Sequence, residues 1–277
     1  MLYCSHDNRF NNMLREIIEE TDWATADAFD RMAKCDYLSF VQFIAKAEIV
    51  ASLKLKKGSR CILDYPVDRY LDKTREDFYL RYLNRNYTKE GFFYEGLNGI
   101  DDLSIEMMIY THLWESSYFM KTLARMSSIL LGRGYEWKPK YGKWDYMQKD
   151  IIIPLKKMNI HFGSVLEKAY SSEIRNAFAH SLYTVDIESK SITMRTKHMG
   201  IHTISFYDFQ KRFLYSVLLM NSMLNALDRN RIKACRKNTA ITGPFLTPDG
   251  VSVQIIAETI MIEGKATPRF RMNRLCE

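Results

Sequence analysis

One helical pattern near the middle of the chain constrains its fold more than any other feature. From Ile105 to Leu131, apolar side chains recur every three or four residues, which predicts a single amphipathic helix of about 27 residues. Asp and Ser in residues 100–104 are good N-cap residues, and Gly132 follows the pattern as a stop. A helix of this length must bury its apolar stripe against other helices, so a mainly α fold is expected.

Further helical patterns surround this segment. Glycine (12 residues) and proline (6) are scarce and aromatic residues make up 13% of the chain, a composition that favours packed helices over a turn-rich β fold. Residues 151–159 and 162–182 are expected to form one or two helices, and Gly163 and Ser171-Ser172 are the candidate positions for a break. The other predicted helical segments are two helices within residues 8–55, one within 72–84 and one at 205–227.

After Leu182 the apolar period changes from about 3.6 residues to 2. The sequence YTVDIESKSITMR predicts a hairpin that turns at residues 188–190. His198 and His202 follow in the same predicted β segment and are expected at the surface. Alternation returns after Thr242 and predicts a small β-rich tail. These patterns divide the chain into a helical N-terminal region (1–100), a helical domain (101–230) and a β-rich C-terminal tail (231–277).

Charge and cysteine usage limit the partners that can be expected. The chain has 40 Lys and Arg against 33 Asp and Glu, a net charge of +7 that suits a polyanionic partner without requiring one. Its five cysteines are widely spaced, which argues against a disulfide framework and against a zinc site. The most apolar segment, residues 213–227, is too short to span a bilayer about 30 Å thick. We therefore expect a cytoplasmic protein with no membrane segment, no metal and no cofactor.

The sequence SEIRNAFAH, residues 172–180, places polar side chains on a helix whose other residues suffice for packing. At about 100° per residue, Glu173, Asn176 and His180 fall within roughly 60° of one another beside the apolar face. Arg175 points about 140° away from His180 on an ideal helix. If Arg175 and His180 act together, a long side chain, a bend or a second subunit must bring them to one place.

This stretch resembles the R-x4–6-H motif of the HEPN superfamily, in which a polar residue follows the arginine. The order of elements over residues 101–230 is also similar: a long helix, the motif helix, a β-hairpin insert and a returning helix. The resemblance implies a HEPN-like four-helix bundle and an endoribonuclease that needs no metal. It also implies a homodimer in which the motif helices of two chains form one composite site.

Within that resemblance, the motif residues have expected roles. The imidazole of His180 can exchange a proton near neutral pH while the RNA 2′-hydroxyl attacks the phosphate. Arg175 would bind the scissile phosphate, and Asn176 would orient the imidazole or donate to the phosphate. Glu115 on the preceding long helix is a candidate supporting acid, because family members often place a polar residue there.

Two alternatives remain open at the level of sequence. An Asn and a His one helical turn apart at the border of a core are often a satisfied polar pair, so the chain could instead be a non-catalytic HEPN-type module that dimerises or binds RNA or nucleotide. Alternatively, the first hundred residues and the tail could respond to a trigger or a regulatory protein and restrain a nuclease. The resemblance suggests a role in antiviral defence or as a toxin of a toxin-antitoxin pair.

Two basic segments are candidates for contact with RNA. Residues 133–144 mix cations with aromatic rings, a combination that suits phosphate pairing and base stacking. A second segment, 229–237 (RNRIKACRK), has five basic residues and no acid. A solvated surface is the ordinary alternative for both. The RNA-binding residues predicted in the first segment are Arg133, Lys138, Lys140, Lys143, Trp137 and Trp144.

Overall fold

The structure, a computed structural model, describes residues 4–51, 59–64, 74–75, 77–83, 99–141, 145–196, 200–236, 240–247 and 252–274. The protein is mainly α with a small β-rich C-terminal part, which confirms the predicted fold class. A π-helical turn, Met147–Ile152, leads directly into one of the helices. The named helices are α1 (Cys4–Cys35), α2 (Tyr37–Ile44), α3 (Gly99–Glu115), α4 (Ser117–Leu130), α5 (Ile153–Lys157), α6 (His161–Ala169), α7 (Ser172–Ala179) and α8 (Phe206–Arg236).

The strands of the described residues form three antiparallel sheets of neighbours in sequence. Two strands pair in the first sheet, and three pair as meanders in each of the others. The predicted hairpin after Leu182 is present, and a third strand that the sequence did not predict joins it. The strands are β1 (Glu48–Ala51), β2 (Ser59–Ile62), β3 (Tyr183–Asp186), β4 (Ser191–Thr196), β5 (Gly200–Ser205), β6 (Ala240–Leu246), β7 (Ser252–Ile262) and β8 (Lys265–Arg274).

The chain divides into two compact units, neither of which is continuous in sequence. Unit 1 comprises Met1–Thr25, Asp68–Met120 and Gly142–Ser222. Unit 2 comprises Ala26–Val67, Lys121–Tyr141 and Met223–Glu277. The division at residues 100 and 230, which rests on pattern changes alone, stays a prediction.

The long helix predicted from Ile105 to Leu131 is two helices, because the chain breaks at Ser116. The Ser116 N–H bonds to the carbonyl of Leu113, three residues back, which tightens the last turn of α3. The Ser116 hydroxyl accepts a hydrogen bond from the backbone N–H of Phe119, with 3.4 Å between nitrogen and oxygen, and so caps the N-terminus of α4. A serine that can cap a new helix therefore interrupts a pattern whose apolar period continues across it.

Large aromatic side chains form the core of unit 1. The ring of Tyr110 on α3 lies 6.3 Å from Phe178 of α7 and 5.9 Å from Phe209 of α8. Trp114, one turn further along α3, donates its indole N–H to the Ser216 hydroxyl of α8 at 3.1 Å. Because the rings of one helix reach two others, α3, α7 and α8 are fixed against one another by packing and by a buried hydrogen bond.

The motif segment breaks at its serines rather than at Gly163. Gly163 lies inside α6, where an added Cβ would stand 2.8 Å from Leu155 Cβ and 3.0 Å from the backbone nitrogen of Lys156. Glycine is therefore required there for the close approach of α6 to α5, and it does not end the helix. The expected break at Ser171-Ser172 is confirmed, since α6 ends at Ala169 and α7 starts at Ser172.

Buried arginines organise unit 2. Arg125 of α4 pairs with Glu48 at 2.7 Å and donates to the backbone carbonyls of Glu136 and Trp137, so it fixes the loop after α4 beside β1. Arg231 of α8 is 6% exposed and bonds the Asp64 carboxylate. Each buried cation thus has an acidic partner, as burial of a charge requires. No helix of the described ranges has the length and apolar character needed to cross a membrane.

Candidate functional site

The motif helix starts at a fixed corner between α6 and α7. Tyr170 and Ser171 both have extended backbone angles, which turn the chain between the two helices. Arg212 of α8 donates to the carbonyl of Glu167 at 2.9 Å and to that of Tyr170 at 2.8 Å, so it satisfies the open end of α6. The direction in which α7 leaves this corner is therefore held from a third helix.

Tyr110 secures the same corner from inside the core. Its hydroxyl donates to the carbonyl of Ala169 at 3.1 Å and accepts the N–H of Ser171 at 2.9 Å. Burial raises the pKa of Tyr110, despite the charge of Arg212 nearby, so the phenol stays neutral and able to donate. We assign Tyr110 to the architecture of the site because both of its hydrogen bonds go to backbone groups.

Ser171 caps the N-terminus of α7. Its hydroxyl accepts the N–H of Ile174 at 3.2 Å and lies 2.6 Å from a carboxylate oxygen of Glu173, to which it donates. The serine supplies one of the acceptors that the first turn of a helix lacks. Ser171 is therefore the N-cap residue of α7.

His180 is the C-cap residue of α7 and is exposed to solvent. The helix ends because Ser181 adopts a left-handed conformation, with φ of 53°, and the N–H of Leu182 returns to the carbonyl of Ala177 at 2.8 Å. These features are those of a Schellman turn, in which a serine takes the position usually held by glycine. Within the described residues, the imidazole of His180 has no hydrogen-bond partner.

Arg175 and Asn176 form a pair on the outer face of α7. The Asn176 side-chain carbonyl accepts from Arg175 Nε at 3.1 Å and from Nη2 at 2.7 Å. A guanidinium has five N–H donors, so three remain without a partner in the part of the chain that the structure describes. Asn176 therefore orients the arginine, whereas the hydrogen bond to His180 considered from the sequence is not formed.

The positions of Arg175 and His180 around α7 explain why the two side chains would need a second chain to act together. Ile174, Ala177 and Phe178 are buried and form the inner face of the helix, which leaves Arg175 and His180 on opposite borders of its outer face. Asn176 lies between the two borders and is tied to Arg175. One chain thus carries the half-buried Arg175 and the exposed His180 without joining them to each other.

Glu115 is not brought into this arrangement. It is the last residue of α3 and is exposed. Although α3 packs beside α7, Glu115 makes no hydrogen bond or ion pair with Arg175, Asn176 or His180 among the described residues. Its role as a supporting acid stays a prediction.

A second acid and a second histidine lie at the start of α7, and sequence reasoning did not connect them. Burial would raise the pKa of Glu173, but hydrogen bonds that include the one from Ser171 and the nearby imidazole of His202 hold it below its usual range. His202 stands on β5 opposite Met194 of β4, the strand that packs on α7. No local spacing in the sequence connects Glu173 with His202, because the hairpin of β3 and β4 separates their two elements in the chain.

The predicted RNA-binding segment is only partly an open surface. Arg133, Lys138 and Lys140 are exposed, and their charged groups have no acidic partner in the described ranges. Trp137 is half-buried, with its ring 5.3 Å from that of Tyr135, so this ring packs against the protein itself. Lys143 and Trp144 lie outside the described residues.

No grouping of three His, Cys, Asp or Glu side chains suited to a metal ion occurs in the described residues.

Comparison with known proteins adds no further constraint on the chemistry. No family model, no curated protein and no solved structure matches this chain. The site must therefore be interpreted from its own geometry and from the resemblance of its motif.

Proposed function

We propose that the protein is an endoribonuclease of HEPN type that cleaves RNA without a metal, in the cytoplasm, through a composite site of a homodimer. The observation that supports the proposal most directly is the outer face of α7. There Arg175, oriented by Asn176 and with three open donors, shares a short helix with the exposed imidazole of His180. A planar donor group for phosphate and a group that exchanges protons near neutral pH are the two requirements of this reaction.

In the proposed reaction the 2′-hydroxyl of RNA is the nucleophile. One imidazole takes the proton of the 2′-hydroxyl while its oxygen bonds to the adjacent phosphorus. The bond from phosphorus to the 5′ oxygen breaks, and that oxygen takes a proton from a second group. The products are a 2′,3′-cyclic phosphate and a 5′-hydroxyl end. Arg175 stabilises the negative charge that builds on the phosphate oxygens in between.

A homodimer supplies what one chain lacks. The reaction needs both a base and an acid, and each chain presents one His180. Since Arg175 and His180 occupy opposite borders of the outer face of α7, pairing two such faces about a two-fold axis parallel to the helix would set the arginine of one chain near the histidine of its partner. The composite site suggested by the motif resemblance thus agrees with the faces of this helix.

The test is incubation of the purified full-length protein with mixed single-stranded and structured RNA in EDTA. Wild type, Arg175→Ala, His180→Ala and Asn176→Ala are compared with Ser164→Ala, a control on the neighbouring helix α6. We expect cleavage by wild type and Ser164→Ala, and a loss of at least about 100-fold for Arg175→Ala and His180→Ala. Asn176→Ala should lose less, about tenfold, because the guanidinium remains but is no longer oriented.

The nature of the ends and the oligomeric state complete the test. Cyclic-phosphate ends and resistance of DNA of the same sequence are expected, because DNA has no 2′-hydroxyl. If wild type cleaves no RNA while light scattering shows a stable dimer, the non-catalytic binding module becomes the better description. Equal cleavage by wild type and His180→Ala would rule out the proposed mechanism.

A further inference from the structure

The excess positive charge of the protein is confined to one of its two units. Unit 2 contains 21 Lys and Arg against 11 Asp and Glu, a net charge of +10. Unit 1, which contains the motif helix, has 19 against 22, a net charge of −3. A separation of charge this large within a chain of net charge +7 makes unit 2 the part of the chain that suits a polyanionic partner.

Part of this charge forms a stripe on the last turns of α8. Arg229, Lys233 and Arg236 follow one another at spacings of four and three residues, so they lie within about 60° on one helix face. All three are exposed, and none has an ion-pair partner among the described residues. Over the rise from Arg229 to Arg236, about 10 Å, the stripe matches the axial length of about three nucleotides in one strand of a duplex.

The opposite face of the same turns shows that the stripe is not needed for the core. Arg231 and Cys235 are buried there, at 6% and 1% exposure. The guanidinium of Arg231 is occupied by the carbonyl of Ile44 and the carboxylate of Asp64. Arg231, which stabilises the fold, therefore lies on one face of the helix. The three cations of the stripe lie on the other face and form no ion pair with the described residues.

Unit 2 contains a second group of exposed basic side chains that have no acidic partner among the described residues. Arg133, Lys138 and Lys140 are exposed on the loop after α4, whose backbone is held by Arg125. Because the described rings of this loop pack on the protein, the loop offers phosphate contacts more than base stacking. A surface of this kind binds a nucleic acid backbone without reading its sequence.

We propose that unit 2 carries the RNA-binding surface of the protein. The surface is formed by the stripe on α8 (Arg229, Lys233 and Arg236) and the basic residues of the loop after α4 (Arg133, Lys138 and Lys140), and it binds the phosphate backbone of RNA independently of the RNA sequence. The inference rests on the proposed function for the identity of the polyanion. It assigns RNA capture to the basic unit and cleavage to the acidic unit. Sequence preference in cleavage would then come from the motif site rather than from binding.

Binding is tested with an oligonucleotide that cannot be cleaved, a 20-nucleotide 2′-O-methyl RNA of mixed sequence, titrated into the full-length protein at several salt concentrations. The triple variant Arg229→Glu, Lys233→Glu, Arg236→Glu is compared with Arg81→Glu, Lys149→Glu, Lys157→Glu, which makes the same charge change in unit 1. We expect the first variant to bind at least about tenfold more weakly than wild type. Its log–log salt slope should fall by about 2, the change for three lost contacts to a single strand.

The outcomes separate this inference from the proposed function. Equal binding by the two triple variants would overturn the inference, whether or not unmodified RNA is cleaved. Binding of wild type to vesicles with anionic lipids, but not to the oligonucleotide, would overturn it in favour of a membrane surface. Loss of binding confined to the unit 2 variant would support it even if no cleavage of unmodified RNA is ever detected.

Discussion

Gly163 shows how one residue can be required by packing rather than by a turn. Its backbone is helical, so its conformation alone would tolerate a side chain. An added methyl group would meet Leu155 Cβ at 2.8 Å and the Lys156 backbone nitrogen at 3.0 Å, and backbone cannot move as a flexible side chain can. The position is therefore closed to larger residues by the neighbouring helix.

We expect Gly163→Ala to destabilise the protein by about 1–3 kcal/mol, the usual cost of inserting a methyl group into a well-packed contact. Urea unfolding would show a lower midpoint with an unchanged slope. Ser164→Ala, the next residue of the same helix, is the control and should change the midpoint little. A rise in stability for Gly163→Ala, as helix propensity alone would give, would mean that α5 and α6 can separate at low cost.

The motif helix has only eight residues, so its existence depends on its two ends and its packing. Its N-terminus is capped, since the Ser171 hydroxyl accepts a hydrogen bond from the backbone N–H of Ile174. Its C-terminus carries strain, because Ser181 adopts φ of 53° where glycine is preferred. Substitutions at the two ends should therefore act in opposite directions.

Ser171→Ala should lower stability by about 1 kcal/mol through loss of the cap. Ser181→Gly should raise it by up to about 1 kcal/mol by removing the cost of a left-handed side-chain residue. Both are measured as shifts of the denaturant midpoint at constant slope. If Ser181→Gly lowered stability, the serine side chain would have to contribute an interaction that outweighs its backbone strain.

At the scale of the whole molecule, one carboxylate joins three helices of unit 1. Glu20 of α1 accepts from Lys168 of α6 at 2.6 Å and from the hydroxyl of Tyr215 of α8 at 2.5 Å. His161, at the start of α6, lies 3.0 Å away through Nε2. Burial alone would raise the pKa of Glu20, but these hydrogen bonds and the charge of Lys168 lower it below the ordinary value of 4.5.

This shift predicts a dependence of stability on pH. A carboxylate whose folded-state pKa is lowered stabilises the fold above the unfolded-state pKa, and the contribution disappears as the pH falls through the folded-state value. We therefore expect Glu20→Gln to be less stable than wild type at pH 7 and the difference to shrink below about pH 4.5. Urea unfolding at pH 7, 5 and 4 measures it, with the exposed Glu19→Gln as control. A difference that does not vary with pH would assign the effect of Glu20 to packing.

The sequence by itself determined the classes of structure. Apolar spacing correctly indicated a mainly α chain, the hairpin after Leu182 and a β-rich tail, because these periods are set by backbone geometry. The motif helix also followed from local chemistry, whereas the choice between Gly163 and Ser171-Ser172 as the break required the structure. The motif assignment itself, and the roles of Arg175, Asn176 and His180 in catalysis, stay predictions.

Only the tertiary structure decided which groups meet. The proximity of Glu173 to His202 joins elements that are separated in the chain. The split of the long helix at Ser116 and the pairing of Asn176 with Arg175 are local contacts, but the apolar period does not encode them either. The confinement of positive charge to unit 2 required the units to be known, since each is assembled from three separate segments. Local spacing determines faces and periods, whereas the assembly of distant segments determines which faces become a site.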